Sequence, residues 1–427
     1  MKKYFFTILC FVVFATNLSA QSDTVKQPKI LDRLQIGGYG EAVMSRMFYS
    51  NNYKRYTNSE LYKDDKGFGQ FDLPHIVFFI GYDFGKGWQF GSEIEFEHGG
   101  FEGAIEIEEE ETGEYESETE RGGEIAIEQW WLEKTFTPFF NIRLGHIIVP
   151  VGQTNKYHFP VEFFTVYRPE SETAILPCTW HETGIELYGK NQHWQYEIMF
   201  IAGLDADRFG SKKWIASSSG SPYEFKIATD YAGAFRLENS SFSSHLRLGI
   251  SGYFGKSASN SLKSDKYKNV KGYVSIGGFD FDYNNQHFIA RGSLIYGHLT
   301  DSKKITAINM ASRSGSPSPK TPIASDAFAA GIEAGYNVLH LFSSFDKLSQ
   351  KLYLFSRYEF YDPMLKMEED LVKNDCWQRQ QISIGLNYFP IREIVIKAQY
   401  GLRIFDRKYN NEPTISLGIA YSGMFNR

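Results

Sequence analysis

The chain has 427 residues, 42% of them hydrophobic and 22% charged, and 45 Lys and Arg against 51 Asp and Glu give a formal charge of −6. An acidic balance of this kind argues against general nucleic-acid binding, and three cysteines are too few for a disulfide framework. Mean hydropathy is −0.36 with 16% aromatics, and beyond the N-terminus no apolar run approaches the roughly 20 residues that a membrane helix needs.

The first element in chain order is an export signal. Lys2 and Lys3 precede an apolar run from Tyr4 to Ala15, and Leu18-Ser19-Ala20 is a small-residue cleavage site. Residues 1–20 are therefore read as a signal peptide, 21–33 as a short periplasmic segment and 34–427 as the folded domain. Cys10 is followed by Phe11, which is not the context of a lipid-anchored cysteine. An exported, strand-rich chain has two homes, a secreted β protein or an outer-membrane barrel with a polar lumen.

Period-two alternation then dominates to the C-terminus. In Trp88–Glu97, Trp88, Phe90, Ile94 and Phe96 share one face, and Gln89, Glu93, Glu95 and Glu97 the other. That pattern marks a strand with one apolar and one wet face. Sixteen such strands are expected, at 34–47, 70–84, 87–98, 123–136, 139–148, 181–190, 193–203, 229–238, 244–254, 270–283, 286–299, 325–339, 351–361, 378–389, 392–405 and 412–425. Their connections are alternately short, as at Gly85-Lys86, Thr137-Pro138 and Asn239–Ser243, and long, as at 48–69, 149–180 and 300–324. Short turns at one end and long loops at the other are the habit of a transmembrane antiparallel β-barrel. A β-sandwich has no reason to segregate loop lengths, and no blade-length repeat suggests a propeller. Aromatics at strand ends, including Tyr82, Phe84, Trp88, Trp130, Trp131, Trp194, Tyr388 and Phe389, suit two interfacial girdles.

The third long loop is the strongest functional candidate. Pro150, Pro160, Pro169 and Pro177 stiffen it, and Tyr157, Phe159, Phe163, Phe164 and Trp180 give it apolar surface, which suits folding back into the lumen. Its charged residues Lys156, His158, Glu162 and Arg168 are then pore-constriction candidates. Glu93, Glu95, Arg143, Arg247, Arg291, Arg357, Lys397 and Arg403 face inward by parity and are read as pore wall. Arginine suits phosphate and carboxylate because its fork binds two oxygens at once, and rings of such side chains set ion preference in pores. Against this stands an acidic block from Glu93 through Glu102, Glu108–Glu111 and Glu120 to Glu128, with Thr112-Gly113 as a hairpin tip. It reads as a solvated flap, as divalent-cation binding at the lipopolysaccharide surface, or as a vestibule that repels anions.

Local signatures of catalysis are missing. There is no G-x-S-x-G elbow, no H-E-x-x-H helix, no Gly-rich phosphate loop and no EF-hand spacing, so no enzyme, cofactor or metal is expected. His75, His146 and His298 read as isolated strand histidines. Cys178 and Cys376 both fall in long loops, either bridged or as two unrelated thiols.

Gly145-His146, Pro150-Val151-Gly152, Arg168-Pro169, Pro177 and Trp180-His181-Glu182-Thr183-Gly184, with Gly37–Glu41 and Glu128–Trp131, resemble the phosphate-selective porin O/P family in its Bacteroidetes branch. The resemblance implies a sixteen-stranded, trimeric porin whose third loop constricts a channel for small anions. Among the motif positions it carries over Arg168 and Lys156 as constriction residues. The expectation is an all-β outer-membrane porin in contact with lipid and lipopolysaccharide, passing small hydrophilic solutes, anions such as phosphate among them. An outer-membrane lipid-modifying hydrolase and a secreted carbohydrate-binding β protein are the alternatives.

Overall fold

A computed structural model describes residues 30–109, 115–219, 226–261, 264–285, 287–312, 320–342 and 350–425. The chain divides into two compact units, one up to Leu34 and one from Gln35 onward. Of the first, a single-turn helix, Ile30–Arg33, is described. The expected signal peptide and most of the segment after it lie outside the described residues, as does the expected hairpin tip at Thr112-Gly113.

Among the described residues seventeen strands follow: β1 (Leu34–Met47), β2 (Gly69–Asp72), β3 (His75–Gly85), β4 (Trp88–Glu109), β5 (Tyr115–Thr137), β6 (Phe140–Ile148), β7 (His181–Lys190), β8 (Trp194–Ala202), β9 (Tyr231–Ser243), β10 (Leu246–Lys256), β11 (Tyr273–Asn284), β12 (Phe288–Leu299), β13 (Asp326–Asn337), β14 (Lys351–Lys366), β15 (Arg379–Ile391), β16 (Ile394–Ile404) and β17 (Glu412–Met424). Neighbours pair antiparallel, and β17 returns to β1 from Gly37↔Met424 to Met47↔Thr414. The result is a closed barrel with no free edge.

β2 and β3 both lie on β1 and together make one wall strand. It is interrupted at Leu73-Pro74, where proline removes a ladder donor. Counting the two pieces once gives sixteen wall strands, as the alternation predicts. β4 and β5 run to 22 and 23 residues, well past the expected ends at 98 and 123. β9 continues to Ser243, so the turn expected at 239–243 lies instead at Ser244-His245.

The walls reverse the soluble pattern. Phe78, Ile80, Ile127, Leu144, Ile198, Ile250, Leu294, Ile332, Ile384, Ile396 and Leu417 are exposed on the outside. Glu133, Glu186, Arg236, Asp280, Glu333, Arg357 and Lys397 are buried within. Such an exterior suits lipid and such an interior suits water and ions. Trp131 departs from the girdle expectation. It turns inward over the Arg143 guanidinium, 4.5 Å from its ring centroid, into space that Gly91 leaves open, where a Cβ would come within 2.2 Å of the indole.

The apolar core sits among the long loops, at one end of the barrel interior. Val149, Val151, Ile175, Leu176 and Trp180 of the third loop pack with Leu204, Phe209, Trp214 and Ile215 of the fourth and with Ile305, Ile323 and Trp377. Ile305 belongs to a helix, Ser302–Ser312, inside a connection expected to be irregular. Cys178 and Cys376 are free thiols.

Candidate pore constriction

The third loop, 149–180, is latched to itself before it touches the wall. Its ends join where the Val149 amide donates to the Trp180 carbonyl at 2.7 Å. Fully buried Asn155 donates to the carbonyls of Val151 (2.9 Å) and Pro177 (3.0 Å) and accepts from the Trp180 amide (2.8 Å). One side chain thus ties both limbs together. Glu172 accepts from the amides of Gln153 and Thr154; burial raises its carboxyl above the ordinary range, opposed in part by bonds from Ser293 and these two amides.

Gly152 opens the short helix Gln153–Lys156 with φ 84° and ψ 164°, a region that only glycine occupies without strain. A Cβ there would also sit 2.5 Å from Glu172 Oε2. Gly152→Ala is therefore expected to cost about 1–3 kcal/mol and to loosen the loop. Limited proteolysis within 153–172 should become faster, and unchanged cleavage kinetics would refute the role given to Gly152.

From this latch the loop crosses the barrel interior. Gln153 donates to the Phe281 carbonyl on β11, and the Gly152 amide to Ser251 on β10. Further along, Lys397 Nζ donates to the carbonyls of Phe163 (3.0 Å) and Thr165 (2.7 Å). Asn387 donates to the Phe164 carbonyl at 2.9 Å, and the Val166 amide donates to Gln399 at 2.9 Å. The Ser171 amide reaches Glu359 at 2.8 Å. The loop is thereby fixed against β10–β16 by side chains that the alternation turns inward.

The basic residues expected at the wall do face inward, and each has a partner. Arg143 pairs with Glu133 (2.8 Å) and Glu186 (2.9 Å). Arg247 pairs with Glu238 and Asp280 and lies 4.0 Å from the Tyr157 ring centroid. Arg291 pairs with Asp282 and Glu333, both at 2.8 Å. Arg357 pairs with Glu333 and Glu359, and Arg403 with Glu170 and Glu412. Lys397 serves the loop carbonyls. In the loop itself, Lys156 pairs with Glu197. Glu162 accepts from the Phe159 amide, and burial raises its carboxyl above the ordinary range. Each wall arginine is thus matched by carboxylates, from neighbouring strands, its own strand or the third loop.

A cavity of about 310 Å³ lies between the loop and β10–β14, and Gln153, Tyr157, Phe163, Asn284 and Pro169 contribute to its lining. Its charged rim holds Arg247, Arg291 and Arg357 against Glu162, Asp282 and Glu333, three of each sign. The cavity is thus bordered by fixed charges of opposite sign.

The opposite face of the loop meets β1, β3, β4 and β5. Arg168 donates to Thr179 Oγ1 at 2.7 Å and lies 3.4 Å from the Tyr39 hydroxyl. Glu95 bonds His75 at 2.7 Å, His146 and His181 are in contact, and His298 bonds Asp326 at 2.9 Å, so none of His75, His146 and His298 is the isolated strand histidine expected. His158 stacks edge-on against Tyr39 and Phe159. Burial lowers its pKa to about 4, and the nearby Arg168 cation acts in the same direction, which leaves the ring neutral at pH 7.

Glu93 and Glu128 lie beside His158. The sequence marks Glu128 as the end of an acidic run and the start of the Glu128–Trp131 motif, not as a neighbour of the third loop. In the pairing of β4 with β5, Glu93 faces Gln129 and Ile94 faces Ile127, so Glu128 is the extra residue of a β-bulge, a device that re-aims a side chain. The sequence carries its trace: Ile125 and Ile127 face outward at odd positions, Trp130 and Leu132 at even ones.

No family model matches the chain. A protein of Aquifex aeolicus (strain VF5), described as uncharacterized, is 27% identical over 384 residues, 89% of this chain and 78% of its own. Among solved structures, OmpF of Salmonella typhi in complex with daunomycin aligns over 91% of this chain and 97% of its own, with a TM-score of 0.56 at 10% identity. An anion-selective porin from Comamonas acidovorans aligns over 91% and 99%, with a TM-score of 0.51 at 10% identity. The outer-membrane channel DcaP of Acinetobacter baumannii aligns over 91% and 97%, with a TM-score of 0.50 at 11% identity. At such identities the likeness is one of fold, a porin-type barrel; the phosphate-selective part of the resemblance has no counterpart in these matches.

Proposed function

We propose that this chain is an outer-membrane channel through which small hydrophilic solutes diffuse, with little preference between anions and cations. The observation that carries this reading is a closed barrel, apolar outside and charged inside, with its third loop laid across the interior beside a polar cavity. The balanced rim of three arginines and three carboxylates favours weak selectivity over strong phosphate preference, because each cation already has an anionic partner that a phosphate would have to displace. Residues 1–20 act as the export signal, the barrel sits among outer-membrane lipid and lipopolysaccharide, and three copies associate. Selection is by width and lining charge, without chemical turnover.

Planar-bilayer recordings under a salt gradient test it. The expected result is stepwise conductance with a reversal potential close to zero. Arg247→Gln removes one rim cation and leaves Arg236 to hold Glu238 and Asp280, so the reversal potential should shift toward cation preference. No conductance at all, or a protein folded and soluble without detergent, would overturn the proposal; the second outcome would favour a secreted binding protein.

A further inference from the structure

Where the third loop meets β4 and β5, two buried acceptor atoms are left without partners. Glu93, Glu128 and His158 each bring one donor atom within 4.8 Å of the other two, and all three side chains are buried, at 7%, 0% and 6% exposure. His158 Nδ1 lies 3.1 Å from the Asn155 carbonyl oxygen. A carbonyl only accepts, so Nδ1 carries the ring proton and Nε2 presents a lone pair. That Nε2 has no hydrogen-bond partner, and neither has Oε1 of Glu128. Bare buried acceptors are rare in folded proteins, and two acceptors cannot satisfy each other.

A divalent cation accepts both lone pairs at once, with a Glu93 carboxylate oxygen as the third donor within 4.8 Å.

We propose that Glu93, Glu128 and His158 form a binding site for a divalent transition-metal cation of the zinc class, which clips the third loop to the β4–β5 wall. Imidazole beside carboxylate is a donor set that such cations accept, and three protein ligands leave a fourth position for water. The supporting contacts are in place. The Asn155 carbonyl fixes the His158 tautomer, the Tyr39 hydroxyl lies 3.3 Å from Glu128 Oε2, and Gln129 donates to Glu93. Partners of this kind orient metal ligands and raise their basicity. The bulge leaves Glu128 and Gln129 side by side on the inner face, one as a ligand and the other as the donor to Glu93.

The competing occupant is a proton shared between the two carboxylates, and zinc titration separates the two. Purified full-length protein in detergent is stripped with EDTA, titrated with Zn²⁺ alone and examined at the zinc absorption edge. The expected result is a saturable equivalent whose spectrum contains one imidazole nitrogen and carboxylate oxygens. His158→Ala and Glu128→Gln should each lose one equivalent, or weaken it by about 100-fold or more, while His298→Ala leaves binding unchanged. Heat-modifiable gel mobility checks that each variant still folds; should either ligand variant fail to fold, the wild-type spectrum decides alone. No saturable equivalent, a zinc spectrum without imidazole, or full occupancy in both folded variants would refute the site. Zinc binding is measured without any conductance, so its outcome and that of the channel reading are independent.

Discussion

Arg236→Met is expected to destabilise the barrel by about 3–5 kcal/mol, the usual consequence of removing one partner from a buried ion pair. The Arg236 side chain is 1% exposed. Its Nε donates to Glu238 and its Nη2 to Asp280, both at 2.7 Å, and its Nη1 reaches the Gly152 carbonyl at 3.2 Å. One residue therefore joins β9, β11 and the third loop. Methionine keeps most of the volume but strands two carboxylates, and Asp280 Oδ2 already has no hydrogen-bond partner. Arg247 still faces both acids, which places the loss toward the lower end of that range. The temperature at which gel mobility changes on heating should fall, and an unchanged midpoint would show that the arginine contributes nothing net.

The second large effect concerns the loop. Lys397→Met combined with Asn387→Leu removes three bonds to the carbonyls of residues 163–165. Each buried carbonyl left without a donor costs about 1–3 kcal/mol, enough to release this segment from β15 and β16. Single-channel records should then show higher conductance and more open-channel noise, with the barrel's heat-modifiability retained. A variant that is folded but conducts like the wild type would mean that residues 163–166 do not narrow the path.

The barrel was legible because its signals are local. Alternation such as Trp88–Glu97 and the segregation of loop lengths need no knowledge of which strands touch. Parity likewise found the inward arginines. What it could not supply was their partners, since Glu186 meets Arg143 and Glu333 meets Arg291 only once the register between strands is fixed. Position at a strand end groups Trp130 and Trp131 in one girdle, but neighbours in a strand face opposite sides, and beyond the bulge at Glu128 it is Trp130 that faces out. Asn155 gave no signal at all; its importance comes from three backbone groups that the fold of the loop gathers around it.

The seam between β1 and β17 has a consequence for biogenesis. Its pairs join residues such as Gly37 and Met424, almost the whole chain apart in sequence, so the barrel cannot close until its last strand has been delivered. A chain halted before Glu412 would present two unsatisfied margins, each able to recruit a strand from another molecule. Premature termination should therefore yield aggregates rather than a smaller barrel, and cells would need a holdase to keep the incomplete wall apart until it is whole.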